Sequence, residues 1–538
     1  MTSSSYIADH LDQPCADKAI RWSRVNAGEQ YPDQVPTLSW SVQLSRGDEM
    51  MRACFRGMGL MRAADMVLPE DRARQAIGMR HGRLLANVDV LRDIMDRLPG
   101  DAGDALEEHL LGARPTTPQA RAEKRSFAVA RSMPGALYRS VRDVPRHSKA
   151  VKAWWKHWVR RIASEGAPAA REVLGTIVQE QVRDASINGT AAFCQQAIFG
   201  MAAEMLSAGP RNLLLKLPSS HMFPEMLFAA AAWSYANGQI SRDAVIEEWG
   251  YFGASGGDVT SPSIRARPEM LDALQGAYAG SISPREAAER AQGQRAEFID
   301  GLAKSVAPMK RPILRWLLNL SDKLAYSREL GRSIWLQRMD VARCAGAAIG
   351  RELASQGLLR DETDAFHLTT EELLQANASN LDGTAAHRKA LYEWRQSFDL
   401  PNSFAGDPKV IFLDTDHGME SGEDDGDMRE ELEGIPASAG VARGTARVVL
   451  SPFEAGTFKR GDILVCRFTD PSWTPIMSLA GGIVADIGGA LSHGAIIARE
   501  LGIPAIVNTR RGTRRIPDGA QIEIDGTTGR IAIFEGVK

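Results

Sequence analysis

Apolar side chains recur at every third or fourth position along residues 84–98, 151–162, 192–206 and 225–236, and along the long stretch 322–358. That period lays an apolar stripe along one face of a helix, so residues 45 to about 400 are predicted to be helix upon helix. Strand-like alternation is almost absent there, and Pro and Gly clusters fall between the periodic segments. From Gly434 the pattern changes. Residues 441–450, 462–468, 482–486, 505–508 and 521–524 are short β-branched runs bounded by Gly, Pro and Asp, which predicts strands. Between the two regimes, residues 414–433 hold ten acids against one arginine. Such a segment cannot bury apolar surface and is expected to be a solvated tether. Its Asp414, Asp416 and His417 offer donors for a cation, although a solvated acidic run is the plainer reading. The expected architecture is therefore multidomain. A large, mostly α-helical domain covers 1–405, an acidic flexible linker covers 406–433, and a small α/β domain covers 434–538.

Composition narrows the function. With 538 residues, 44% hydrophobic and 24% charged, the chain can bury a sizeable core. Its 64 basic and 67 acidic side chains nearly balance, which argues against a dedicated nucleic-acid binder. Cys15, Cys54, Cys194, Cys344 and Cys466 are scattered and without CxxC spacing, so neither a disulfide framework nor a thiolate zinc site organises the fold. The first residues lack a basic stretch followed by an apolar one, and no apolar run reaches the roughly 18 residues of a membrane span. A cytoplasmic protein with no membrane partner is expected.

The chemistry is concentrated in residues 488–507, GGALSHGAIIARELGIPAIV. Residues 483–487 read as a buried strand, and Gly488-Gly489 permits a tight turn. Ser492 is a good N-cap for a helix from His493 to about Leu501, which Gly502 ends and Pro504 cannot continue. His493 then sits in the first turn, where unpaired N–H groups and the positive end of the helix dipole suit a phosphoryl group. A neutral imidazole is also nucleophilic near pH 7. An isolated Ser-His pair would more often be a capping or packing feature, so the neighbouring motifs decide.

Those motifs are Gly434-Ile435-Pro436-Ala437-Ser438-Ala439-Gly440, Gly461-Asp462-Ile463-Leu464-Val465, Thr469-Asp470-Pro471-Ser472-Trp473-Thr474-Pro475, the histidine loop, Asp518-Gly519 and Asp525-Gly526-Thr527. In this order and spacing the C-terminal module resembles the swivelling phosphohistidine domain of the PEP-utilising enzymes, which include phosphoenolpyruvate synthase, pyruvate phosphate dikinase, rifampicin phosphotransferase and phenylphosphate synthase. The resemblance implies that His493 is the phosphocarrier and that Gly488, Gly489, Ser492 and Gly494 surround its phosphate. Dikinases of the pyruvate branch usually carry Thr two places before the histidine, where this chain has Leu491; the loop is closer to the rifampicin-phosphotransferase form. Neither an ATP-grasp domain nor a phosphoenolpyruvate-binding barrel is recognised. The resemblance thus implies a separate ATP-grasp partner subunit holding ATP and Mg²⁺, as in phenylphosphate synthase, with no cofactor bound tightly by this chain.

The helical part resembles the acceptor-binding domain of the rifampicin-phosphotransferase and phenylphosphate-synthase group more weakly. Val25-Asn26-Ala27-Gly28-Glu29 with Thr37-Leu38-Ser39-Trp40-Ser41, and Asp364-Ala365-Phe366-His367-Leu368-Thr369 with Glu371-Glu372-Leu373, match structural stretches of that group. His367 is read as a packed or exposed histidine. Arg328-Glu329-Leu330-Gly331-Arg332 matches an Arg-Glu pair with a basic residue three places on. Arg328 and Arg332 share a helix face at a like-charge cost of about 0.2–0.5 kcal/mol. Two guanidinium forks so placed can clamp a phosphoryl group, and Glu329 can orient Arg332 or accept the proton of an acceptor hydroxyl. Where relatives carry Gly-His-Arg-Gly, this chain has Tyr251 and Phe252 in a glycine-rich loop ending at Asp258, as a flat apolar acceptor would require. The cluster Trp154, Trp155 and Trp158 reads as core edge.

The sequence thus suggests the phosphocarrier and acceptor subunit of an ATP-dependent, dikinase-type phosphotransferase. Phosphate would pass from ATP to His493 and then to the hydroxyl of a small, phenol-like acceptor. Two alternatives stand beside it: a larger drug-like hydroxyl acceptor, and a phosphorelay protein that donates to another protein.

Overall fold

The computed structural model describes residues 11–12, 19–25, 31, 33–71, 74–98, 102–109, 126–207, 214, 217–253, 255–278, 282–375, 380–412, 431–452, 458–489 and 492–534. The acidic residues 414–430, with Asp414, Asp416 and His417, lie outside them, as does Leu491.

One departure from the helical expectation opens the chain. Strands β1 (Arg21–Ser23), β2 (Ile77–Arg80), β3 (Arg83–Asn87) and β4 (Ser403–Ala405) form an antiparallel sheet in the order β2-β3-β1-β4. The periodic stretch 84–98 is therefore part strand and part helix: β3 ends at Asn87, which caps α1 (Val88–Met95) by accepting from the Val90 N–H at 3.1 Å. A short apolar run such as Leu84-Leu85 satisfies either period, and pairing with β1 and β2 decides it.

The remaining predicted helices form. Long helices α2 (Ser126–Glu165), α3 (Ala167–Glu204) and α5 (Arg311–Ser355) pack along one another, with α4 (Pro224–Ala236) set against the end of the bundle that faces the module. One core lies between α2, α3 and α5 around Trp155, Ile177, Met339 and Ile349, all fully or nearly fully buried. Trp155 donates to Asp340 at 2.8 Å, so the tryptophan cluster belongs to this core and its edge. His367 is buried and meets the Tyr392 ring edge-on, a packed histidine.

The module is an eight-stranded sheet of β5 (Glu431–Glu433), β6 (Ile435–Ser438), β7 (Val441–Val448), β8 (Ile463–Cys466), β9 (Gly482–Ala485), β10 (Ala505–Val507), β11 (Gln521–Asp525) and β12 (Arg530–Phe534). The order is β5-β12-β11-β7-β8-β9-β10-β6, with β7, β8, β9 and β10 parallel and the outer pairs antiparallel. β8, β9 and β10 are buried throughout and carry no charged side chains, as two-sided burial demands, whereas β7 is partly exposed and carries Arg443 and Arg447. Helix α6 (His493–Leu501) follows β9 through the glycine turn. A further core joins the two parts: Phe223, Met226 and Tyr278 of the helical region pack with Ile476, Met477 and Ile496 of the module. This contact presses the N-terminus of α6 against α4 and α5.

Candidate active site

Local sequence builds the module's half of the site. The Ser492 hydroxyl accepts from the Ala495 N–H at 3.2 Å, and Gly502 closes α6 in the left-handed region at φ 68°. Gly488 turns the chain at φ 143°, a conformation that favours glycine. Gly494 answers a different need, because a Cβ there would come within 2.2 Å of Thr469 Oγ1. His493 opens the helix and is completely buried.

The other half comes from the long helix. Glu329 Oε2 lies 3.6 Å from His493 Nδ1, and its Oε1 lies 3.7 Å from Arg328 Nε. The expected partnership of Glu329 with Arg332 is replaced by these two contacts, while Arg332 Nε is buried without a hydrogen-bond partner among the described residues. Arg328, Glu329 and Arg332 line a cavity of about 290 Å³ between α3 and α5, together with Asn188, Gln195 and Trp335. Glu329 is thus a wall shared by the imidazole and the cavity.

Sequence reasoning missed a second carboxyl group. Glu225, the second residue of α4, is completely buried, and no other described residue hydrogen-bonds either of its oxygens. Side-chain atoms of Glu225, Glu329 and His493 all lie within 4.8 Å of one another. In the sequence, Glu225 reads as an ordinary first-turn acid after Pro224, and nothing local marks it as part of a site. The cavity is equally invisible, since its lining comes from helices more than a hundred residues apart.

Electrostatics sort these groups. Burial, reinforced by the Arg332 charge, lowers the His493 pKa to about 4, so the imidazole is neutral and nucleophilic. Burial alone would raise Glu329, but contact with His493 and the Arg328 charge outweigh it and keep the group ionised. Burial and the charge of Glu329 push Glu225 up to about 8. Its place at a helix N-terminus favours the anion by about 0.3–1 kcal/mol, less than the several kcal/mol that desolvating an ion costs. Asp470 accepts from the Ser472 N–H at 2.8 Å and is raised to about 6 by burial, against the pull of Arg332. Two carboxyl groups and an imidazole are a donor set suited to a divalent cation, yet Arg328 and Arg332 already supply their counter-charge. The cluster does not fit a metal, and none is assigned.

The substrate candidates lie elsewhere. Tyr251 and Phe252 are buried, Phe252 stacked on Phe228 at 4.5 Å, and neither lines the cavity beside Arg328. Asp258 accepts from the Thr260 N–H at 2.7 Å in a loop of its own. Tyr251 nevertheless stands close enough to Glu225 to be influenced by its charge.

Residues 458–529 match the model of the PEP-utilising enzyme mobile domain. The chain is 36% identical over 209 residues to a rifampicin phosphotransferase of Streptomyces sviceus, covering 38% of this chain and 23% of that one. It is 46% identical over 108 residues to a probable phosphoenolpyruvate synthase of Staphylothermus marinus, covering 20% and 13%. With the prodigiosin synthesizing transferase PigC of Serratia marcescens it shares 32% over 236 residues, 44% of this chain and 26% of that protein. The chain spans about a quarter of the length of these curated rifampicin phosphotransferases, 23% of the first and 24% of one from Bacillus cereus. Among the described residues no helix is long and apolar enough to cross a membrane. Residues 458–529 thus carry a PEP-utilising enzyme mobile domain, and the chain is similar to rifampicin phosphotransferases over about two fifths of its length.

Proposed function

We propose that this protein is the phosphocarrier and acceptor component of an ATP-dependent phosphotransferase, with a small hydroxylated compound of phenol-like size as acceptor. The observation that carries the reading is the neutral His493 at the start of α6, 3.6 Å from a Glu329 carboxylate that also walls a cavity with Arg328 and Arg332. ATP with Mg²⁺, held by a separate ATP-grasp subunit, supplies the phosphoryl group to His493. In the arrangement described, the acceptor hydroxyl occupies the cavity and its oxygen bonds to phosphorus as the P–N bond breaks. The electron pair returns to the imidazole, and the hydroxyl proton goes to the Glu329 carboxylate. Arg328 and Arg332 neutralise the moving charge, since such transfers are mostly positioning and electrostatics. A cavity of about 290 Å³ is at the low end of pockets for drug-sized ligands and supports a single-ring acceptor over a macrocycle. Complete burial of His493, with Glu329 standing between it and the cavity, argues against a protein as acceptor.

The test is intact-mass spectrometry at alkaline pH, which preserves phosphohistidine, after mixing the chain with ATP and its candidate ATP-grasp partner. One added phosphate that requires the partner and vanishes in His493→Ala is the expected result. Partner-dependent ATP turnover with no mass gain on the wild-type chain would overturn the carrier role.

A further inference from the structure

A carboxyl group without a partner, sealed beside a second carboxylate, needs a reason to be there. No other described residue hydrogen-bonds Glu225, and the Arg328 and Arg332 charges that favour its anion are outweighed by burial and by the charge of Glu329. Glu329 uses its own contacts on His493 and Arg328. The groups facing Glu225 are Arg328, Glu329 and Arg332 on α5, His493 on α6, and Tyr251, while Asp470 of the module interacts with the same Arg332. Two guanidinium charges oppose the carboxylates of Glu329 and Asp470, so the pocket is balanced only while Glu225 keeps its proton. A phosphoryl dianion on His493 must be received in this same space.

We propose that Glu225 is a positioning residue that works as a carboxylic acid, the proton-bearing member of a Glu225–Glu329 pair beside His493. Its retained proton leaves Arg328 and Arg332 free to meet the phosphoryl dianion. When that proton leaves, a second carboxylate stands next to the phosphoryl position and the pocket loses its hold on phospho-His493. Ordinary glutamates are ionised at neutral pH; burial and the neighbouring Glu329 charge hold this one protonated to about pH 8, so the change falls on the alkaline side. The inference rests on the phosphocarrier reading and adds to it a residue that sequence motifs do not reach.

Phosphoramidate, a small N–P donor, serves as the probe: its P–N bond breaks, a P–N bond to His493 forms, and ammonia leaves with the imidazole proton. The full chain is charged this way and desalted. Its ³¹P resonance is followed from pH 6 to 10, and the uncharged chain is followed in parallel by the ¹⁵N signals of the His493 imidazole. Wild type is expected to show a titration step near pH 8 in both nuclei; Glu225→Gln and Glu225→Ala lose it, and Glu225→Asp keeps it. Glu500, at the other end of α6, is also raised to about 8 by burial, so Glu500→Gln is the control and leaves the step in place. Identical curves for wild type and both neutral variants overturn the inference, with thermal melting confirming that at least one variant is folded. A chain that never gains phosphate at His493 overturns the carrier reading instead, and the imidazole titration still decides the role of Glu225.

Discussion

The module and the helical region build the surroundings of His493 by opposite means. In the module the requirement is met by backbone: a glycine turn at Gly488, a Ser492 cap and the amide end of α6, all within seven consecutive residues. In the helical region it is met by side chains on two helices, Glu225 on α4 and Arg328, Glu329 and Arg332 on α5, about a hundred residues apart in sequence. Backbone amides offer a fixed positive field that does not titrate. Side chains offer full charges whose protonation depends on who else is buried with them. On the proposed function, the module carries the group and the helical region governs when it leaves.

Arg332→Ala is the largest expected break in that division. It should slow transfer to the acceptor by about 10²–10³-fold while leaving partner-dependent charging of His493 within about twofold. Single-turnover measurement of each half-reaction checks this; equal losses in both would merge the two roles. Gly494→Ala attacks the opposite side. Its Cβ would meet Thr469 Oγ1 at 2.2 Å, so a destabilisation of about 1–3 kcal/mol and a loss of charging are expected by denaturant melting and mass spectrometry.

A pH experiment sharpens the comparison further. His493 titrates near 6.5 when exposed and is lowered to about 4 by burial and Arg332. The unfolded or undocked chain therefore binds the extra proton first, and the contribution of the buried imidazole is present above pH 6.5 and lost as pH falls toward 4. The melting temperature of wild type should drop more steeply across that window than that of His493→Gln. The smallest effect is expected at the far end of α6, where Glu500 accepts the Ser219 N–H at 3.0 Å through both oxygens. Glu500→Ala should weaken docking by about 1–3 kcal/mol, read as faster hydrogen exchange at Ser219 and little change in charging.

Legibility followed the same division. The caps of α6, the central strands of the module and the histidine at the helix start were all readable, because each depends on residues adjacent in sequence. Period picked out residues 151–162 of α2, 192–204 of α3, nearly all of α4 and the larger part of α5, but not the full length of the long helices. The N-terminal sheet was not: β3 lies in a short apolar run, and besides the adjacent β2 it pairs with β1, some sixty residues upstream, which in turn reaches Ser403–Ala405. The Arg328–Arg332 pair was found by motif, with Glu329 read as orienting Arg332 or as a proton acceptor; its contacts in the structure are with His493 and Arg328. Tyr251 and Phe252 were singled out for their chemistry, and the structure places them in the core away from the cavity.

Local sequence, then, determined the nucleophile, its helix cap and the glycine turn, because capping and turn geometry are decided within a few residues. Tertiary structure alone decided that Glu225 joins the site, that burial and the Glu329 charge push its pKa upward, and that a cavity about the size of one ring opens beside Arg328. Those properties arise from desolvation and from charges brought together by packing, and neither is written in any single stretch of chain.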